Sequence, residues 1–153
     1  MTATHPQPLS AQEEAAWRAL AQAMVVLPRA LDADLMASHG MSVSEYGVLV
    51  QLSEAPDRQL RMSELASVRS FTPAGMTRIV DRLVAHGFVE RRKCPEDGRG
   101  SFAVLTEAGF RRLEDAYPSH LASVRRHVMD HVDPADLDAF IRALSHIRES
   151  TEG

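Results

Sequence analysis

Nine basic side chains lie between positions 58 and 101: Arg58, Arg61, Arg69, Arg78, Arg82, Arg91, Arg92, Lys93 and Arg99. Five acidic residues share that stretch, so it carries net +4, while residues 1–57 carry −5 and residues 102–153 carry −3. Guanidinium and ammonium groups in such a cluster do no covalent chemistry. They neutralise a polyanion, and for that the local field matters more than the −4 of the whole chain. The competing reading of the same charges is a solvated, mixed-charge surface.

Two segments inside the basic stretch could turn a general attraction into a specific one. In Thr72–His86, Met76, Ile79, Val80, Leu83 and Val84 repeat with helical spacing and form one apolar stripe. The opposite face carries Pro73, Ala74, Thr77, Arg78, Asp81 and Arg82. Small residues at the start let such a helix approach a surface closely. An arginine one turn later can read guanine N7 and O6, and a threonine methyl can meet a thymine methyl. The second segment, "KCPEDGRGSFAVLTEAG" from Lys93 to Gly109, holds Arg99 between two glycines and then runs into an apolar strand.

The elements that must position these residues can be read along the chain. Ser10–Glu13 is a capping box that opens a long helix with apolar positions at Trp17, Leu20, Met24, Leu27, Leu31 and Leu35. Pro28 is expected to kink it near Met24 without ending it, and Gly40 closes it. A second box, Ser42–Glu45, starts a short helix through Leu52, and "EAPDRQ" reads as a loop. "MSELASV" is a third helix, Ser70-Phe71 a turn, and Thr72-Pro73 a strong helix start. "FVERRK" and "SFAVL" read as two strands around the "CPEDGRG" loop. Thr106 caps a fifth helix, bent at Pro118, and Asp133-Pro134 precedes a last one to about Arg148. This order predicts a mainly α protein with a small β-hairpin (α+β, about six helices and two to three short strands). Residues 42–106 form a winged helix-turn-helix lobe, and residues 10–40 and 107–150 flank it as dimerisation helices. Leu113, Leu121, Val124, Val128, Leu137, Phe140, Ile141 and Leu144 give the second flank an apolar face too large for a lone small domain. A homodimer is expected; the alternative is that both ends fold back on their own core.

The stretch "LRMSELASV…FTPAGMTRIVDRLVAHGFVERRKCPEDGRGSFAVLTEAG" resembles the MarR family of bacterial transcriptional regulators. The matching motif is Asp97-x-Arg99, a small residue, then a strand ending Leu105-Thr106-x-x-Gly109. Val80–Leu83 and Gly87–Arg91 match as well, and the resemblance runs from about Trp17 to Leu144. It implies a cytoplasmic, sequence-specific regulator of double-stranded DNA, most often a repressor, that works as a homodimer on a near-palindromic site and answers to a small-molecule effector. It implies that the hairpin is a wing whose Arg99 enters the minor groove, where a narrow groove attracts arginine. Asp97 would hold that tip by pairing with an arginine. Arg91, Arg92 and Lys93 would grip phosphate, as would Ser63 at the start of the third helix. With Thr72, Pro73, Ala74, Thr77, Arg78, Arg82 and Ser101 these make the expected DNA-binding set. Gly75 and Gly98 depart from the family pattern. Trp17, His39 and Tyr46 are the expected effector pocket. The alternative function is a winged-helix protein-interaction or sensor module that binds no DNA.

Other features carry less. The single cysteine, Cys94, forms no intrachain disulfide and suits a reducing compartment. The cations before it could activate the thiol, but an inert hairpin residue is the stronger reading. His120, His127 and His131 are spaced i, i+7 and i+11 and are expected on one helical face, with no carboxylate converging in that stretch, so a surface or interface role outweighs a metal site. No catalytic set, cofactor motif, secretory leader or membrane span of roughly 18 apolar residues is visible.

Overall fold

The computed structural model describes residues 6–69, 71–95 and 100–152. Among these, six α-helices and three strands follow in the order α1 (Ala11–His39), α2 (Val43–Glu54), β1 (Gln59–Arg61), α3 (Met62–Val68), α4 (Pro73–Ala85), β2 (Val89–Lys93), β3 (Ser101–Leu105), α5 (Glu107–His127) and α6 (Leu137–Glu152). The expected fold class holds.

Local chemistry sets most of these boundaries. Ser10 and Ser42 each accept from the backbone N–H three residues on, and Glu13 and Glu45 answer by accepting from the cap N–H, which satisfies two otherwise orphaned donors per helix. Thr72 and Thr106 cap α4 and α5 by accepting from the Gly75 and Gly109 N–H groups at 3.0 Å each. Gly40 ends α1 at φ 60°, where an L side chain is strained, and donates to Met36 O. Pro28 and Pro118 both lie inside helices that continue past them.

The three strands form one antiparallel sheet in the order β1-β3-β2. The wing strands pair from Val89 with Leu105 to Lys93 with Ser101. Strand β1, which begins at the last residue of the segment expected to be a loop, pairs Gln59 with Val104 and Arg61 with Phe102. The turn before it holds Asp57 and Arg58 at φ 55° and 53°. Arg58 is pinned there, 4.0 Å over the Phe110 ring and 3.3 Å from Glu107 of α5. The core sits inside the winged lobe, with Val48, Leu49, Leu52, Leu65, Met76 and Val80 fully buried. Each contributes about 1.5–3 kcal/mol by leaving water. Val84, expected on the buried stripe, is 38% exposed although its neighbour Leu83 is buried; at 100° per residue it falls at the edge of the stripe that Met76 and Leu83 centre.

The flanking helices α1 and α5 are tied to each other by polar contacts as well as packing. Asp34 of α1 accepts at Oδ2 from Ser123 Oγ at 2.6 Å, Arg126 Nη2 at 2.5 Å and His127 Nε2 at 2.9 Å, all on α5. Arg112 of α5 donates to the His39 carbonyl at the end of α1 and lies near the face of Phe88. The Ser123 hydroxyl first, then His127 and Arg126, hold the Asp34 carboxyl at about 2, below its ordinary 3.8. A depressed carboxylate stabilises the folded chain fully above the unfolded value and loses that contribution as pH falls towards the folded one. Stability should therefore drop between about pH 4 and pH 2 through this group. Asp34→Asn should flatten that part of a urea-midpoint-versus-pH curve. An unchanged curve would mean that other carboxylates carry the acid sensitivity.

Candidate nucleic-acid interface

Helix α4 buries Met76, Ile79, Val80 and Leu83 and turns Thr72, Pro73, Ala74 and Arg78 outward, with Thr77 half-buried at the margin. Arg78 has no hydrogen bond or ion pair among the described residues. Other basic side chains of the expected set are already engaged. Arg82 donates to Glu45 of α2 at 2.9 Å, and Arg91 of β2 bonds Asp81 of α4 at 2.9 Å. Arg91 also reaches the Thr77 carbonyl at 3.5 Å. Burial pushes the Glu45 carboxyl up, but the Ser42 N–H and Arg82 outweigh it and leave Glu45 below its ordinary value. These two pairs fix α4 against α2 and against the hairpin. They position the exposed face and leave Arg82 and Arg91 less free to bind a partner than their sequence positions imply.

Along β2, Val89 faces the core, while Glu90, Arg91, Arg92 and Lys93 are exposed. Arg92 makes an exposed contact with Glu90 at 3.5 Å, of a kind worth little in water. Lys93 opposes Ser101 across the hairpin. Ser63 is exposed at the second position of α3. Asp97 and Arg99, with Gly98, lie outside the described residues. Cys94 is buried just past β2 at the loop end of the hairpin, donates its N–H to the Gly100 carbonyl at 3.0 Å and packs its sulfur where a side chain on residue 100 would go.

The hairpin joins the helices through one compact knot. Thr106 Oγ1 donates to the Gly87 carbonyl at 2.7 Å while accepting from Gly109 N–H. The Thr106 N–H donates to the Phe88 carbonyl at 3.1 Å. A Cβ on Gly109 would collide with that same carbonyl. The Leu-Thr-x-x-Gly pattern thus has a physical cause: it docks α5 directly onto the exit of α4.

The whole arrangement has solved counterparts. The MarR family profile matches residues 39–100. Sco3205, a MarR family transcriptional regulator from Streptomyces coelicolor solved in complex with DNA, superposes with a TM-score of 0.89 at 36% identity, over 95% of this chain and 91% of that one. This chain belongs to the MarR family. AbsC, another MarR family transcriptional regulator from Streptomyces coelicolor, gives a TM-score of 0.88 at 34% identity over 97% and 99% of the two chains. The transcriptional repressor YetL of Bacillus subtilis is 34% identical over 113 residues, 74% of this chain and 67% of YetL.

As a MarR family transcriptional regulator, the chain departs from the sequence expectations in two places. Trp17 and His39 stand 22 residues apart on one continuous helix, about 33 Å, so within one protomer they do not form a pocket with Tyr46. Trp17 is 54% exposed. Tyr46 is buried and fronts a cavity with residues of α2 and α5. His131 does not continue the face of His120 and His127, because α5 ends at His127. His120 packs its ring 4.4 Å from Tyr46, His127 donates to Asp34, and His131 donates to the Arg126 carbonyl. The carboxylate that meets His127 is Asp34, which comes from α1, 93 residues away in the chain. Arg61, the last residue of β1, pairs with Phe102 and holds its guanidinium 5.5 Å from that ring. Among the described residues no helix is long and apolar enough to cross a membrane.

Proposed function

We propose that this chain is a cytoplasmic, ligand-responsive repressor that binds a near-palindromic double-stranded operator as a homodimer. One observation carries the reading: the exposed start of α4 offers small residues and then Arg78, a cation with no partner among the described residues, beside the basic strand β2. Pro73 and Ala74 let the helix seat deep in a major groove, with Thr72, Thr77 and Arg78 at the base edges. Arg92, Lys93, Ser63 and Ser101 meet phosphates, and Arg99, steadied by Asp97, enters the flanking minor groove. Arg82 and Arg91 act chiefly by holding that face in place. The DNA complex of the 36% identical Sco3205 protein supports this mode, and the repressor YetL supports its sign. Exposed Trp17, Met24, Leu121, Phe140, Ile141 and Leu144 support pairing of two copies, which sets two α4 helices about 34 Å apart on successive major grooves. The effector reading centres on Tyr46 rather than on Trp17 and His39.

A mobility-shift series on the DNA upstream of the chain's own gene tests this. Arg78→Ala should weaken binding by about 1–3 kcal/mol and relax sequence preference, and Arg99→Ala should weaken binding as well. Wild-type affinity should fall with salt at a log–log slope of several units. A flat salt response would favour a protein-interaction module instead.

A further inference from the structure

Helix α4 turns about 100° per residue, and its buried Met76, Ile79, Val80 and Leu83 fix which way the other side chains point. Opposite the middle of that buried stripe stand Ala74, Arg78 and Asp81, one on each turn and all exposed. Pro73 and Thr77 lie to one side of this line and Arg82 to the other.

Most groups on this face that could recognise a base are already committed. Thr72 Oγ1 accepts from the Gly75 N–H at 3.0 Å. Arg82 donates to Glu45 at 2.9 Å. Ala74 offers only a methyl. Asp81 stands three residues after Arg78 on the same line, a spacing at which acid and base on a helix ordinarily pair. Arg91 of β2 holds it instead, at 2.9 Å. Arg78 is left with no hydrogen bond or ion pair among the described residues.

A guanidinium presents two parallel N–H groups. In the major groove they match guanine N7 and O6, and no other base edge there offers two acceptors side by side. Ala74 precedes Arg78 by four residues, about 6 Å along the axis, or about two base-pair steps of 3.4 Å. A bare methyl suits the one apolar feature of that groove, the 5-methyl of thymine. We infer that Ala74 and Arg78 are the specificity-determining pair of the operator half-site. Arg78 selects a guanine, Ala74 selects a thymine within about two base pairs of it, and Arg91 keeps Asp81 away so that Arg78 stays free. Arg91 is thus a positioning residue that acts through Asp81. This readout rests on the DNA-binding reading above and names the bases it selects.

The test selects duplexes from a random-sequence pool with the full chain, then edits a selected half-site one atom group at a time. 7-Deazaguanine in place of each guanine removes N7, and deoxyuridine in place of each thymine removes the methyl. At one guanine, loss of N7 should cost the wild type at least about fivefold in affinity and cost Arg78→Ala nothing further. At one nearby thymine, loss of the methyl should cost about fourfold and cost Ala74→Gly nothing further. Arg91→Ala should lose most of the sensitivity to N7, and adding Asp81→Asn should restore it. Loss of a phosphate contact alone lowers affinity for all sequences alike and leaves that sensitivity intact. Thermal unfolding checks that each variant is folded. Undiminished N7 sensitivity in a folded Arg78→Ala variant, or no guanine that shows it in the wild type, would overturn the role of Arg78. A methyl effect that survives Ala74→Gly overturns that of Ala74, and N7 sensitivity unchanged by Arg91→Ala overturns that of Arg91. Salt-dependent duplex binding with no selected sequence removes the whole readout and leaves the DNA-binding reading standing. No binding to any duplex at low salt removes both.

Discussion

Gly109→Ala should cost the chain about 3 kcal/mol, although alanine in place of an ordinary helical glycine is worth about 1 kcal/mol of stabilisation. The sign reverses because of what a methyl group would meet. Its carbon would collide with the Phe88 carbonyl oxygen and stand 2.7 Å from Leu105 Cδ1 and 2.9 Å from the Phe88 carbonyl carbon. A flexible side chain could yield, but the Phe88 carbonyl is backbone and already accepts the Thr106 N–H. Relief therefore requires α5 to lift off the exit of α4. That movement pulls Thr106 Oγ1 away from Gly87 and strains the junction that carries the wing. Urea denaturation followed by circular dichroism measures the cost. Ala108→Gly, at the neighbouring exposed position, supplies the ordinary propensity effect, a loss of about 1 kcal/mol. A Gly109→Ala variant with an unchanged or raised midpoint would show that α5 does not dock as described. If the variant folds but loses operator affinity out of proportion to its stability, the junction also sets the angle of the wing.

What the sequence made legible was mostly local. The caps at Ser10, Ser42, Thr72 and Thr106 are interactions over three residues, and all four form as their spacing implies. Of the five positions in the apolar repeat of α4, four are buried, and the fifth, Val84, lies at the edge of the stripe and is partly exposed. The rest depends on partners distant in the chain. Strand β1 is three residues long and exists because β3, some 40 residues later, pairs with it. Arg82 looks like a free cation until Glu45, 37 residues earlier, is seen beside it. Arg91 and Asp81 meet because a helix and a strand fold together, and helical periodicity alone cannot pair them. The same limit separated Trp17 from Tyr46: both are aromatic, but Trp17 lies near the start of α1, 22 residues before its end at His39, while Tyr46 lies on α2. Gly109 was recognised as part of a pattern, but its cause is the carbonyl of Phe88, which no reading of spacing contains.

Ile141→Asp should abolish dimerisation and, with it, nearly all operator binding, while leaving each protomer folded. In the single protomer Ile141 is 58% exposed, and Phe140, Leu144 and Ile147 beside it on α6 are 38%, 39% and 47% exposed. A carboxylate there faces water in a monomer and costs little. Across a two-fold interface the same change occurs twice, because each copy presents the same patch to the other. An unpaired charge buried in such a contact costs about 3–5 kcal/mol. Two of them raise a dimer dissociation constant by roughly four orders of magnitude or more, since each 1.4 kcal/mol is tenfold. Operator affinity then falls further, because the second half-site is no longer reached by a tethered copy at high effective concentration. Light scattering after size exclusion should report a monomer at micromolar concentration, with the wild-type helical spectrum and a mobility shift confined to weak, half-site binding. Should Ile141→Asp remain a dimer with wild-type operator affinity, the α6 stripe lies outside the interface, and the exposed face of α1 around Trp17 and Met24 becomes the surface through which the two copies meet.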